Sequence, residues 1–180
     1  MARYIALLRG INVGGNNKVP MAELRHCFEE LGFSSVSTYI NSGNVMFETT
    51  ETEPATLKRQ IETELAKTFG FQIATTVISA TELQKYLANA PSWWGVDTTA
   101  KHNAIFVIPP TTPDEIIEAV GPYNPEYEQV SFSGQLIFWS APIKTISRTR
   151  WIRIVGTKPY QSLTIRNANT TKKLLELVSS

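Results

Sequence analysis

The stretch A-R-Y-I-A-L-L-R-G-I-N-V-G-G-N-N-K-V-P-M-A-E-L-R-H-C-F-E-E-L-G-F, residues 2–33, and then V-S-T-Y-I-N-S-G-N-V-M-F-E, residues 36–48, decide how this chain folds. Arg3 to Leu8 is a short apolar run that reads as a buried strand. Pro20 suits the first turn of a helix, on which Ala22, Leu24, Cys27, Phe28 and Leu31 recur at helical spacing until Gly32 stops it. Val36–Ile40 and Val45–Glu48 are rich in β-formers and flank N-S-G-N, a hairpin signal. Pro54 opens a second helix with Leu57, Ile61, Leu65 and Phe69 as its buried stripe, Gly70 closes it, and Phe71–Ile78 is a fourth strand. The order is β-α-β-β-α-β.

Working outward, residues 80–101 read as a connector: a helix over Thr81–Ala90, then P-S-W-W-G, whose tryptophans pack a loop against the body. The pattern then recurs. Asn103–Ile108 is a strand, P-P-T-T-P leads into a helix with Ile116, Ile117 and Val120 on one face, and Glu128–Phe132 and Leu136–Trp139 flank a second hairpin. Ser147–Val155 fits either a helix or a strand, and Gly156 as a stop favours a helix. Ser162–Ile165 is a last strand, and Asn167 or Asn169 caps a terminal helix over Thr170–Val178. The fold class expected is α+β, with two tandem ferredoxin-like (βαββαβ) subdomains, 1–79 and 102–180, each with an antiparallel sheet, and a C-terminal helix.

Composition narrows the function classes. The single cysteine, Cys27, allows no internal disulfide and reads as a small buried hydrophobe. No apolar run approaches the ~20 residues of a membrane helix, and the apolar core after Met1 is too short for a signal peptide. A cytoplasmic protein with no membrane partner is expected. The net charge of +1 conceals an asymmetry: Glu23–Glu128 carries 15 acids against 6 bases, whereas Gln129–Leu175 carries 8 bases and no acid. Such a basic stretch either meets phosphates or docks on the acidic middle of its own chain. The expected patch includes Arg148, Arg150 and Arg166 on one exposed face.

In a β-α-β-β-α-β unit the loop after the first strand and the hairpin after the second share one edge of the sheet. Here these are R-G-I-N-V-G-G-N-N-K and N-S-G-N, rich in glycine and asparagine and without an acid. Glycine lets backbone N–H groups approach a ligand, Arg9 and Lys18 supply charge, and the helix beginning near Pro20 points its positive end the same way. This is a candidate anion cradle, although neither a P-loop nor a dinucleotide fingerprint is present. The ligand-binding candidates are Arg9, Gly10, Asn12, Gly14, Gly15, Lys18, Asn41, Ser42 and Asn44, with Arg148, Arg150, Arg166 and Asn167 from the basic half. His26 and His102 have no second ligand type nearby, so no metal site is expected, and no cofactor is implied.

A-L-L-R-G-I-N-V-G-G-N-N-K-V-P-M-A-E-L, E-E-L-G-F and T-Y-I-N-S-G-N-V together resemble the opening of the bacterial domain-of-unknown-function 1697 family, and T-I-R-N-A-N-T-T-K-K-L-L-E-L resembles its ending. The resemblance implies two ferredoxin-like subdomains in tandem and brings no established activity. By position it marks Arg9, Gly10, Asn12, Gly14, Gly15, Lys18, Tyr39, Ser42, Gly43, Asn44, Ser147, Arg148, Arg166 and Asn167. The chain departs from the family at Ala168, where tryptophan is usual, and between Trp151 and Gln161. Three function classes stay open. The first is a module binding an anionic ligand, nucleotide or nucleic acid. The second is an enzyme on a small phosphorylated or carboxylated substrate. The third is an oligomerising or protein-interaction module. No acid–base pair or nucleophile motif singles out a reaction.

Overall fold

An apolar strand needs a partner on each side, and the first strand, β1 (Ala2–Leu8), finds both. The computed structural model describes residues 1–180. It divides into two compact units, Met1–Gln84 with Leu174–Ser180, and Lys85–Lys173.

In the first unit, β1 is followed by α1 (Met21–Glu30), β2 (Ser34–Thr38), β3 (Asn44–Thr49), α2 (Pro54–Phe69) and β4 (Thr75–Ser79). The strands form an antiparallel sheet in the order β2-β3-β1-β4. Period-2 alternation places Tyr4, Ala6, Leu8, Val45 and Phe47 on one face, against Leu24 and Phe28 of α1 and Leu57, Ile61 and Leu65 of α2. Phe47 is the hub of that core, with ring centroids 4.6 Å from Phe33 and 5.4 Å from Phe28. Each such ring, fully buried, contributes about 3 kcal/mol of transfer free energy. Gly70 ends α2 in the left-handed conformation, φ 80°, and donates its N–H to the Ala66 carbonyl.

The second unit is entered through α3 (Ala80–Ala88). It comprises β5 (Ala100–Val107), α4 (Pro113–Val120), β6 (Gln129–Ser133), β7 (Leu136–Pro142) and β8 (Leu163–Asn167), and α5 (Ala168–Ser179) follows. Its sheet is also antiparallel, ordered β6-β7-β5-β8. A capping box starts α4: Thr112 accepts from the Glu115 N–H, and Glu115 reaches back to the Thr112 N–H. Asn167 caps α5 by accepting the Thr170 N–H at 2.8 Å. Trp94 is buried, lies edge-on to Phe138 at 5.0 Å and donates its indole N–H to the Asn103 carbonyl.

The helix expected over Ser147–Val155 is not formed. Its place is taken by three 3-10 turns, Ile143–Arg148, Trp151–Gly156 and Lys158–Ser162. The reason is a twice-repeated device, I-S-R-T at 146–149 and I-V-G-T at 154–157. Thr149 directs both its N–H and its hydroxyl to the Ile146 carbonyl, and Thr157 does the same to Ile154. An i−3 carbonyl doubly engaged in this way ends the turn, and Pro159 cannot restart an α-helical ladder.

Glu128 holds these turns. It is 2% exposed, and its carboxylate accepts four N–H groups: Asn124 (2.9 Å) and Arg150 (2.7 Å) main chain on Oε1, Trp151 main chain (3.2 Å) and the Trp139 indole (3.0 Å) on Oε2. An alanine there strands several buried donors at once. Glu128→Ala is expected to cost about 3 kcal/mol or more in urea unfolding, with Glu128→Gln intermediate because its amide keeps one acceptor. A loss below about 1 kcal/mol for the alanine variant would show that the carboxylate does not hold the turns.

Candidate functional site

The pairing of Leu7 with Asn44 brings the loop after β1 and the hairpin before β3 to one end of the first sheet. The ladder runs on past the strands: Leu8 donates to the Gly43 carbonyl at 2.8 Å and Arg9 to the Ala74 carbonyl at 2.9 Å. The loop is a miniature hairpin. The Asn12 N–H reaches the Asn17 carbonyl, the Asn16 N–H reaches the Val13 carbonyl, and Gly14 and Gly15 form the tip at φ 58° and 77°. Two positive φ values in succession are the geometry of a type I′ turn, which explains the Gly-Gly pair without any ligand. Ile11 and Val19 are buried and pin the loop's base, while Val13 through Lys18 is exposed.

Asn12 fixes the loop. Its side-chain amide donates to the Val19 carbonyl (3.0 Å) and to the Asn41 carbonyl (2.9 Å), and its Oδ1 accepts the Val19 N–H (2.8 Å). Asn44 is fully buried, and its amide donates to the Tyr39 carbonyl and the Ser42 hydroxyl. Both asparagines therefore build the site and are not its ligand-facing groups. Gly43 sits where the hairpin meets the loop: at φ 89°, an added Cβ would lie 2.8 Å from both Ile11 Cδ1 and Leu8 Cβ. Gly10, Asn41 and Lys18 are exposed, and Arg9 and Ser42 are half-buried. Residues 1–22 carry no carboxylate. Pro20 provides no side-chain cap at the start of α1, which leaves the first-turn N–H groups available.

The basic candidates do not gather as expected. Arg166 is buried, with Nη1 on the Thr164 hydroxyl and the Ile165 carbonyl, and burial lowers its pKa to about 10, so it remains a cation at neutral pH. It alternates with Ile165 along β8 and so falls on the sheet face it shares with Thr164, where it is enclosed. Arg150 is half-buried and donates Nε to the Val120 carbonyl at 2.6 Å, neutralising the C-terminal end of α4. Arg148 is exposed but lies on Tyr127, hydrogen-bonded to its hydroxyl at 2.9 Å and 5.4 Å from its ring centroid. Asn167 uses its side chain as the cap of α5. The expectation of one exposed face holding Arg148, Arg150 and Arg166 is thus corrected.

One arrangement was not legible in the sequence. His102 and Ser140 face each other across β5 and β7 and are hydrogen-bonded through Nδ1 and Oγ. His102 Nε2 lies 2.7 Å from the Asp97 carbonyl. A carbonyl only accepts, so the proton sits on Nε2 and Nδ1 accepts from the serine hydroxyl. Both residues line a cavity of about 350 Å³. Cys27 offers no comparable chemistry, because burial raises its thiol pKa. No group of three His, Cys, Asp or Glu side chains converges on a common point. No helix is long and apolar enough to cross a membrane.

Residues 1–138 match the family described as "Protein of unknown function (DUF1697)", and the chain belongs to that family. A solved structure of a conserved bacterial protein from Streptococcus pneumoniae is similar, with 34% identity over 98% of each chain and a TM-score of 0.89. No curated protein matches the chain.

Two substitutions test how the loop is built. Gly43→Ala forces a left-handed alanine into contact with Ile11 and Leu8 and is expected to cost about 2–4 kcal/mol. Asn12→Ala loses three hydrogen bonds and is expected to cost about 2–3 kcal/mol while speeding amide exchange at Asn12 and Val19. Native-like exchange there would show that the loop holds its shape without Asn12.

Proposed function

We propose that the protein binds a small phosphate-bearing anion, with a mononucleotide as the favoured class, at the loop from Arg9 to Lys18 and the Asn41–Asn44 hairpin. The observation that carries the reading is the triple anchoring of Asn12. A connector between a strand and a helix needs only a few residues. Ordering a longer one costs conformational entropy, and a fixed, acid-free, exposed loop is what an anion site requires. Lys18 and Arg9 supply the charge, Gly10, Gly14 and Gly15 allow close backbone approach, and the start of α1 adds its positive end. Ser42 and Asn41 border the same place. In this reading each half is a ferredoxin-like subdomain, 1–79 and 102–180, joined by the connector 80–101. The strand orders β2-β3-β1-β4 and β6-β7-β5-β8 support it.

A long nucleic acid is the weaker partner. Arg150 and Arg166 make contacts inside the second unit, and Arg148 lies on Tyr127. What remains suits one bound anion better than a tracked backbone. The test is titration of a nucleoside diphosphate, single-stranded RNA and duplex DNA at two salt concentrations. Wild type, Lys18→Glu and Arg148→Glu are compared. The expected result is nucleotide binding weakened at least about tenfold by Lys18→Glu, the loss of one charge-assisted contact, and unchanged by Arg148→Glu. No binding of any of the three at low salt rejects the reading.

A second reading, an enzyme on a small carboxylated or phosphorylated substrate, is favoured by the Ser140–His102 pair. Ser140 Oγ would attack the acyl or phosphoryl centre as His102 Nδ1 takes its proton. The bond to the leaving oxygen or nitrogen then breaks, that atom receives the proton from His102, and water later releases the acyl or phosphoryl group from Ser140. A fluorophosphonate probe is then expected to label Ser140 in the native protein and to leave Ser140→Ala unlabelled. Absence of labelling in the wild type removes this reading.

A further inference from the structure

The two units cover their sheets differently, and a slot opens where they differ. In the first unit the crossover before the last strand is α2, a helix of 16 residues whose buried stripe lies against the sheet. In the second unit the corresponding crossover is the run of 3-10 turns between Ile143 and Ser162. A cavity of about 200 Å³ lies between those turns and the sheet. Its walls are Ile105, Trp139 and Ile165 from the strands and Ile146, Trp151 and Ile154 from the turns.

The slot is built into the chain. Ile146 and Ile154 are the residues whose carbonyls Thr149 and Thr157 engage twice over. Trp139 and Trp151 are held by the Glu128 carboxylate, one through its indole N–H and the other through its backbone N–H. Four of the six wall residues are therefore fixed by hydrogen bonds as well as by packing. Ile152 and Val155 also line the cavity and are 51% and 64% exposed.

Two polar residues belong to the same lining, Lys101 and Asn103, at alternate positions on β5 and so on the face that carries Ile105. Lys101 is exposed and forms no ion pair, and the half-buried side-chain amide of Asn103 makes no hydrogen bond within the chain. The turns above and the residues between them carry Lys144, Arg148, Arg150, Arg153 and Lys158 and no acid. With an apolar interior, one cation, one free amide and a positive surround, we infer that the slot binds a small amphipathic monocarboxylate. Its ring or short chain lies among the isoleucines and tryptophans, and its carboxylate meets Lys101 Nζ and Asn103 Nδ2. An apolar cavity of roughly 150 Å³ holds benzene, so this one takes about eight apolar heavy atoms, with the carboxylate lying outside them. Octanoate and 3-phenylpropionate are of that class.

The test uses the full chain and its own tryptophans, two of which line the slot. Octanoate, 3-phenylpropionate and octan-1-ol are titrated by fluorescence and by calorimetry. Saturable binding of both acids is expected, with the alcohol about tenfold weaker. Lys101→Ala is expected to erase the difference between acid and alcohol. Ile165→Phe fills the slot from the sheet side and is expected to abolish binding of all three at unchanged circular dichroism. Lys18→Glu is expected to leave all three affinities unchanged, which separates this slot from the proposed anion loop. The inference is overturned by the absence of saturable binding to the wild type up to millimolar ligand, by octanol binding as tightly as octanoate, or by binding that persists in a folded Ile165→Phe variant.

Discussion

The antiparallel pairing of β1 with β3 is the constraint from which the candidate anion site follows. Leu7 lies opposite Asn44, and one step further Leu8 donates to Gly43. A slip by one residue would exchange the faces of β1 and carry Tyr4, Ala6 and Leu8 away from α1 and α2. The packing of those three residues against the helices therefore specifies the register, and the register sets the loop against the hairpin. Once they touch, Asn12 bridges them, and Gly43 is the residue that lets Ile11 come close enough for the bridge to form. The second unit has a related tie of opposite polarity. Gln135, in its hairpin, donates its side-chain amide to the carbonyls of Val107 and Thr111. There the loop is short and rich in proline, so the same topological edge carries no exposed cradle.

Electrostatics in the second unit are settled by one acid and several indirect contacts. Glu128 receives the main chain of Arg150 and Trp151 and the indole of Trp139, and forms no salt bridge with a basic side chain. The arginines then find other acceptors: the open end of α4 for Arg150, a tyrosine for Arg148, and a hydroxyl and a carbonyl for Arg166. Backbone carbonyls and helix ends are partial charges, which neutralise an arginine in its surroundings without changing the net charge. A segment with 8 bases and no acid is thereby folded while its positive field persists.

Most elements were legible because they rest on local physics. The strand–helix order of the first unit follows from hydrophobic spacing, from Pro54 at a helix start and from Gly70 at a helix end, each of which acts through the backbone of its own residue. That an asparagine caps α5 was legible for the same reason, and of the two candidates, Asn167 and Asn169, it is Asn167 that does so. The crossover at residues 143–162 was not. Trp151, Ile154 and Val155 keep helical spacing, but the threonine hydroxyls compete for carbonyls three residues back, and that competition outweighs the periodicity. The glycines and asparagines of the loop were rightly grouped by topology. Their division of labour, with Asn12 and Asn44 as fasteners and Lys18 exposed, depends on which atoms face which after folding.

The sequence by itself determined most of the elements, their order, which residues of each strand share a face, and the excess of positive charge in the last third of the chain. Tertiary structure alone decided where that charge goes and which side chains meet. His102 and Ser140 are 38 residues apart and come together only through the register of β5 on β7. Arg166 is buried because of the face of β8 on which it falls, a property of the sheet and not of its neighbours in the chain. Periodicity and turn chemistry are written within a few residues. A partner across a sheet is chosen by a register that the whole core sets at once, so its identity appears only when the chain has folded.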